Sequence, residues 1–151
     1  MTQRQAITDA ILATVRTVTF PTPINGQSSF ITVDSRLRLW GDVPTNEQPS
    51  AFLVTHREAV EYKDMGAVKR LAGYQLFCYS RTDNGGNGLS DLDSMLTGIE
   101  SAFNIPDNYS TNNLTFNGLV YYCRIEGFIF KDPGDIDNQT LLVVPLMVRL
   151  P

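Results

Sequence analysis

Four side chains that could bind a metal ion lie close together between residues 132 and 138. They are Asp132, Asp135, Asp137 and Asn138, and their oxygens are ligands that a hard cation such as calcium prefers. Their spacing does not fit an EF-hand loop, which needs ligands at alternate positions, a central glycine and a distal glutamate. Because they lie among turn-forming residues, a solvated turn between two strands is the better interpretation. No metal site is predicted.

A glycine-rich segment, residues 84–88, precedes a predicted helix and has the composition of loops that hold phosphate with backbone amides. Nucleotide-binding loops of this kind either end in Gly-Lys-Ser/Thr or follow the first strand of a parallel unit as GxGxxG. Neither condition is met, since no lysine follows the glycines. The segment is interpreted as a flexible loop between a strand and a helix, and no cofactor is predicted.

Two cysteines, one histidine and two glutamates are the remaining candidates for catalysis. Cys78 and Cys123 each lie inside an apolar run, which is typical of reduced thiols in a core. His56 is the only histidine, and it is distant in sequence from both cysteines, so a catalytic pair is weakly indicated. Glu58 and Glu61, near the end of a strand, are more typical of a solvated face than of acid–base catalysis. The chain is therefore predicted not to be an enzyme.

Length and composition favour one globular domain over residues 1–151. The chain is 42% hydrophobic and 19% charged, which is enough apolar material for one core. A net charge of -4 argues against direct DNA binding, which needs clustered lysine and arginine. No apolar run approaches the roughly 20 residues that span a bilayer, and an acidic residue interrupts the region where a signal peptide would be apolar. We expect a protein made and kept in a cytosol, without a membrane partner.

An amphipathic helix and an irregular arm are predicted at the start of the chain. Apolar residues recur at helical spacing from Thr2 to Val18, and Pro21 and Pro23 then prevent its continuation. The arm, approximately residues 20–50, is rich in proline, glycine and small polar residues. Segments of this kind are generally functional or become ordered against a partner. We expect the arm to be mobile in an isolated subunit, because it offers few core residues.

A long β-hairpin and a second helix are predicted after the arm. Residues 51–63 and 71–81 are rich in branched and aromatic side chains, and they should pair with a break or bend near Arg57. The helix, residues 89–103, has one apolar face, and Ser90 is its expected N-cap.

Two further strands complete the predicted fold. Residues 119–130 alternate in polarity, although Arg124 and Glu126 interrupt the pattern, and residues 141–150 contain Pro145, which indicates an edge or a bulge. The predicted class is α+β, with a largely antiparallel four-stranded sheet, two helices on one face and the order α-β-β-α-β-β. The apolar stripes of both helices should be buried together against the sheet, namely Ile7, Ile11, Val15, Leu92, Leu96, Ile99 and Phe103.

Six segments taken together carry a resemblance to a known family. They are the short first helix, the arm with SRLRLW, the segment QPSAFLVTHREAVEY, the strand LAGYQLFCYS, the helix LSDLDSMLTGIESAF and the final strand DNQTLLVVPLMVRL. This layout, which covers nearly the whole chain, resembles the tail terminator (tail completion) proteins of long-tailed bacteriophages. The ending D-x-Q followed by apolar residues, proline and further apolar residues is its most suggestive part.

The resemblance implies a subunit of a hexameric ring at the neck of a virion. Such a ring sits on the last ring of the tail tube, stops further tube polymerisation and offers a surface to the head connector. The implied partners are other copies of the chain, the tail tube protein and a head-connector or neck protein. Viral DNA would pass through the lumen without specific binding, and assembly would take place in the host cytoplasm. The family has no catalytic residues to transfer.

Contacts between ring subunits are predicted in the arm and in the turn of residues 132–138, here called the acidic turn. A ring subunit needs two different surfaces that meet head to tail, and flexible arms or strand edges are suited to this. We predict interface residues at Arg36, Leu37, Arg38, Leu39, Trp40, Asp132, Asp135 and Asp137. Tryptophan and arginine are enriched in binding hot spots, so an exposed Trp40 should matter more for assembly than for folding. The alternative is that the arm packs over its own core.

Two other functions remain open. A head-closure or adaptor protein, or a tail tube subunit, would have similar length and strand content, although a tube subunit would polymerise by itself. A small ferredoxin-like enzyme or ligand-binding domain would need a pocket on which polar groups converge.

Overall fold

Two α-helices, two short 3-10 helices in the arm and six strands are the regular elements of the described part of the chain. The computed structural model describes residues 2–62, 66, 68–81, 88–103, 114–134 and 139–151. The helices are α1 (Gln3–Arg16) and α2 (Gly88–Ala102). The strands are β1 (Thr32–Asp34), β2 (Ser50–Tyr62), β3 (Val68–Arg81), β4 (Tyr122–Ile125), β5 (Phe130–Asp132) and β6 (Gln139–Leu150).

The strands form one mixed sheet in the order β1-β2-β3-β6-β4, and β5 pairs with β6 beside β4. The α+β class is confirmed, but the predicted four-stranded, largely antiparallel sheet is wrong in two respects. The arm supplies β1, which pairs in parallel with the start of β2. The single strand expected over residues 119–130 is divided into β4 and β5, which pair with opposite ends of β6.

Pro145 explains why β4 and β5 are separate. β6 pairs along its whole length with β3, and its other side pairs with β4 up to Leu146 and with β5 from Val143. Pro145, between these two points, has no N–H to donate, so a continuous partner strand would lack a hydrogen bond there. The backbone N–H of Glu126 instead donates to the Pro145 carbonyl at 3.3 Å. Pro145 therefore marks an irregularity, as expected, but it lies inside the sheet and not at an edge.

The hairpin of β2 and β3 is confirmed, including its break. The two strands pair from Ser50 opposite Tyr79 to Tyr62 opposite Val68, and the register shifts between Thr55 and Arg57. Every residue of β2 from 55 to 62 is exposed. The end of the hairpin therefore projects beyond the core.

Both helices begin close to the predicted positions. The Thr2 hydroxyl accepts a hydrogen bond from the Gln5 backbone N–H at 3.1 Å and so caps α1. α2 begins at Gly88, so Ser90 lies in its first turn and the prediction that it is the N-cap is wrong. The first residue of α2 lies so close to the backbone of Pro133 that only glycine fits, because a Cβ at Gly88 would lie 1.8 Å from the Pro133 carbonyl oxygen.

The main core lies between the helices and one face of the sheet. All seven apolar helix residues predicted to be buried together belong to one buried cluster, so that prediction is confirmed. The sheet contributes the even-numbered residues 72–78 of β3 and 142–150 of β6 to the same cluster, for example Leu76 opposite Val144. No helix in the described part of the chain has the length and apolar character needed to cross a membrane.

The arm follows an irregular path, as predicted, but it is packed against the protein. Phe20, Ile24 and Phe30 are buried in the main core, and the rings of Phe20 and Phe30 meet edge to face at 4.9 Å. Val43 is buried on the other side of the sheet. The premise that the arm offers too few core residues to fix itself is therefore wrong.

Candidate interaction surface

The face of the sheet that carries neither helix, here called the open face, is built from alternate residues of the central strands. Paired residues of neighbouring strands point to the same side of a sheet, so the register defines this face. Its members are Phe52, Val54, Arg57, Ala59 and Glu61 of β2, the odd-numbered residues from Lys69 to Arg81 of β3, the odd-numbered residues from Gln139 to Arg149 of β6, Tyr122 and Arg124 of β4, and Phe130 and Asp132 of β5. Its middle is largely apolar, and arginine and aromatic residues lie towards its margins.

One end of the open face is covered by the arm through Trp40. This side chain is half-buried and packs with Val43, Phe52 and Tyr79 in a second apolar cluster. Its indole N–H donates to the Ser80 carbonyl at 3.3 Å. The expectation of an exposed Trp40 is therefore wrong, and the arm packs over its own sheet at this point.

The neighbours of Trp40 in the arm are more exposed. Leu37 is 41% exposed and Leu39 is 71% exposed, and Arg36 is also exposed. Arg38 is half-buried, donates to the Glu47 carboxylate at 3.0 Å and lies over the ring of Phe52 at 5.4 Å. These four residues therefore form a strip along the arm whose apolar members remain accessible.

The acidic turn meets the same end of the sheet as the arm. Asp132 of β5 pairs with Leu141 of β6, and Leu141 pairs on its other side with Tyr79 of β3. The Tyr79 hydroxyl in turn donates to the Arg38 carbonyl of the arm at 2.9 Å. The fold thus brings Asp132 to the same end of the open face as Trp40, although the two are far apart in sequence. The carboxylate of Asp132 accepts from the Gly134 N–H at 3.0 Å. Asp135 and Asp137 lie outside the described residues.

Arginine–aromatic contacts are concentrated at the open face. Within the described ranges, Arg81 lies 4.6 Å from the ring of Trp40, and Arg124 lies 4.1 Å from the ring of Tyr122. Arg149 lies 5.2 Å from the ring of Tyr121. Such pairs hold guanidinium groups against the surface while leaving them charged. Apart from Trp40, these residues could not be assigned to an interaction surface from the sequence, because their grouping depends on the strand register.

A groove opens where the sheet is interrupted opposite Pro145. It has a volume of about 260 Å³, and its lining includes Arg57, Gln75, Pro145, Met147 and Phe128. Phe128 is 99% exposed, because it lies in the segment between β4 and β5 that makes no ladder pairing with β6. An almost fully exposed phenylalanine beside a groove is a typical anchor for a partner protein.

Charge is distributed unevenly between the two sides of the protein. In the described part of the chain, Arg57, Arg81 and Arg149 form no ion pair, and all three lie at the open face. By contrast, α2 contains three carboxylates and no lysine or arginine. The open face also carries Asp132, Glu61 and Glu126, but its cationic side chains are more numerous in a chain whose net charge is -4.

The two cysteines are core residues. Both are free and buried, as predicted. Burial raises the pKa of the Cys78 thiol and raises that of Cys123 to about 12. At neutral pH both thiols are therefore protonated, and a protonated thiol is a poor nucleophile.

Two of the candidate catalytic residues, His56 and Glu58, line a cavity of about 430 Å³ between α1 and the hairpin, together with Tyr74. Arg4 donates to both carboxylate oxygens of Glu58, at 2.7 and 2.8 Å, and these hydrogen bonds lower the pKa of Glu58. Burial raises the pKa of Tyr74. Two charged groups of this cavity, Arg4 and Glu58, thus pair with each other.

The remaining polar candidates are dispersed. Glu61 is exposed on the projecting part of the hairpin. Among the described residues, no three His, Cys, Asp or Glu side chains form a group that could hold a metal ion. Neither a scan against protein-family models nor a search of curated proteins gives a match for this chain.

Proposed function

We propose that this chain is a non-enzymatic structural subunit of a bacteriophage tail, which assembles into a hexameric ring on the last ring of the tail tube. The ring stops further polymerisation of the tube and offers a joining surface to the head connector. The proposal rests on the resemblance of the chain's layout to tail terminators, and the structure adds physical support to it.

The observation that carries the proposal is the chemical difference between the two sides of the sheet. One side is covered by both helices, while the open face keeps an apolar middle, stacked arginines and an exposed Phe128. A closed ring requires a heterologous contact, in which two different surfaces of the same subunit meet. Aromatic and arginine residues are the types enriched at the centres of such contacts.

The available surface is large enough for ring contacts. A standard protein interface covers about 800 Å² on each partner, so two contacts per subunit would cover roughly a fifth of the 8699 Å² surface. The strip of Arg36, Leu37 and Leu39 and the projecting hairpin remain available for the tube and the connector. Viral DNA would pass through the ring without specific binding, since an acidic lumen would repel phosphate.

The alternatives differ in how the subunit associates. A tube subunit would form filaments of varying length, and a head-closure or adaptor protein would need its neck partner to take its place in the virion. An enzyme or ligand-binding domain would need converging polar groups, whereas Arg4 and Glu58 in the cavity between α1 and the hairpin bind each other. No described feature favours this last alternative over a structural role.

Electron microscopy of the purified protein tests the proposal. We expect closed rings of uniform diameter with an open lumen. Filaments would indicate a tube subunit, and particles of single-subunit size at every concentration would contradict a ring that forms without other proteins. Labelled protein should also be found at the neck of the virion.

A further inference from the structure

We propose that the contact between neighbouring ring subunits is formed by the open face of one copy and the outer surface of α2 of the next copy. In this contact Phe128 enters a groove beside Leu89, and Arg57 faces Asp93. The inference rests on the proposed ring and specifies which surfaces close it.

The receiving surface is a groove along the outer side of α2. It has a volume of about 350 Å³, and its lining includes Pro21, Thr22, Leu89, Asp93 and Thr97. Leu89 is 52% exposed, although α2 buries its other apolar residues in the core. The groove therefore offers an apolar contact with a carboxylate beside it.

The surface that enters this groove is the segment between β4 and β5, which lies opposite Pro145 and makes no ladder pairing with β6. Phe128 protrudes there with 99% of its surface in solvent, and its neighbour Gly127 has a φ of +123°. A Cβ at Gly127 would lie 3.3 Å from Cγ of Pro145. Glycine thus permits the close turn that places Phe128 on the outside of the sheet.

Charge complementarity selects a second copy of the chain as the occupant. Arg57 passes over Gly73 at the edge of the Phe128 groove and forms no ion pair within the described residues. The surface of α2 carries Asp93 and other carboxylates without a basic residue of its own. Asp93 has one weak partner in its own subunit, Lys131 at 3.5 Å, and the pair is partly exposed. Glu126 also lines the groove, but it is paired with Arg124 at 2.9 Å. The guanidinium of Arg57 and the carboxylate of Asp93 therefore complement each other between copies.

The positions of the two surfaces suit a ring. α2 packs against the side of the sheet opposite the open face, so a subunit cannot bring both surfaces to one two-fold contact. Pairing them between copies gives a head-to-tail contact, which closes into a ring when the rotation between copies allows it.

Sedimentation of single variants tests the apolar part of the contact. Phe128→Ala should lower the association constant of the ring at least tenfold without lowering Tm, because the side chain is outside the core. Tyr62→Ala is the matched control, since Tyr62 is 81% exposed on the hairpin and belongs to neither surface. Equal losses in both variants, or no loss in Phe128→Ala, would overturn the inference.

Charge reversal tests the pairing directly. Arg57→Glu and Asp93→Arg should each reduce the ring fraction, and the double variant should restore it, because every contact then regains opposite charges. Monomer Tm measured for each variant separates this effect from misfolding. If wild type forms rings and the single reversals leave them intact, this contact is wrong while the ring stands. If wild type forms no ring, the proposed function fails, and the inference fails with it.

Discussion

At the scale of single residues, Trp40 owes its position to contacts with its own chain. Its ring packs on Val43, Phe52 and Tyr79, its N–H reaches the Ser80 carbonyl, and the Arg81 guanidinium covers it. The arginine contact restricts access of a partner to the ring. Leu39, one residue earlier, is free of such cover and is the better candidate for an intermolecular contact.

We predict that Trp40→Ala destabilises the isolated subunit. The expected loss is about 2 kcal/mol, because full burial of tryptophan would give roughly 3–5 kcal/mol and Trp40 is only partly buried. Thermal unfolding of the monomer measures it, with Leu39→Ala as the exposed control. An unchanged Tm together with lost assembly would show that Trp40 acts mainly at an interface.

The thiols give a second prediction at this scale. Burial raises the pKa of both Cys78 and Cys123, so both remain neutral and shielded at neutral and mildly alkaline pH. A thiol-reactive dye should therefore react with neither cysteine in the native protein and with both in guanidinium. Fast reaction under native conditions would contradict the packing of β3 or β4.

Residue type and spacing predicted the buried helix stripes and the core cysteines, because periodicity within an element determines which side it buries. The same information could not predict the exposure of Phe128. That side chain lies in an apolar run typical of a strand, and it is displaced from the sheet by a proline in a different strand. Exposure of this kind depends on strand register, which is a property of the folded chain.

At the scale of elements, α2 is positioned by a close approach to the backbone that leads into the arm. A Cβ at Gly98 would lie 2.7 Å from the Thr19 carbonyl oxygen and 2.9 Å from Cγ1 of Val18. Only a residue without a side chain fits between helix and arm at this distance. The arm is thereby held at its start, in agreement with the burial of Phe20.

We predict that Gly98→Ala lowers the free energy of unfolding by about 1–3 kcal/mol, as overpacking does, although alanine has the higher helix propensity. Gly41→Ala is a suitable control, because a Cβ at Gly41 meets nothing within 4 Å. Denaturant unfolding compares the two variants. Equal stability would mean that α2 and the arm are less closely packed than described.

The ion pair of Arg4 and Glu58 joins the start of α1 to β2. Arg4 lowers the pKa of Glu58, so its contribution to stability is present above the ordinary value of 4.5 and is lost as pH falls through the lowered pKa. Glu58→Gln should therefore cause a small decrease in Tm at pH 7 that disappears in acid. Glu61→Gln, on the same strand but without an ion pair among the described residues, should show no such pH dependence.

Helices and strands could be predicted from the sequence where residue spacing and propensity within the segment determine them. The first helix, the long hairpin and its break near Arg57 follow from spacing and strand propensity. The three-residue strand β1 was not predictable, since it exists only through parallel pairing with Ser50–Phe52. The division of β4 from β5 has the same non-local origin in Pro145.

At the scale of the whole molecule, the distribution of charge gives the chain two unlike sides. The open face carries Arg57, Arg81, Arg124 and Arg149 beside Glu61, Glu126 and Asp132, whereas α2 carries three carboxylates and no basic residue. The sequence intersperses these charges and shows only a net charge of -4. Composition could exclude a strongly basic nucleic-acid surface, but it could not reveal this separation. Two unlike, complementary sides are what self-assembly by a head-to-tail contact requires.

The mass of the native protein, measured by native mass spectrometry over a range of concentrations, distinguishes a closed hexameric ring from every alternative. We expect one dominant assembly with six times the 16.8 kDa mass of the chain, in equilibrium with the monomer on dilution. A monomer at every concentration, or a series of masses that grows without limit, would contradict a closed ring.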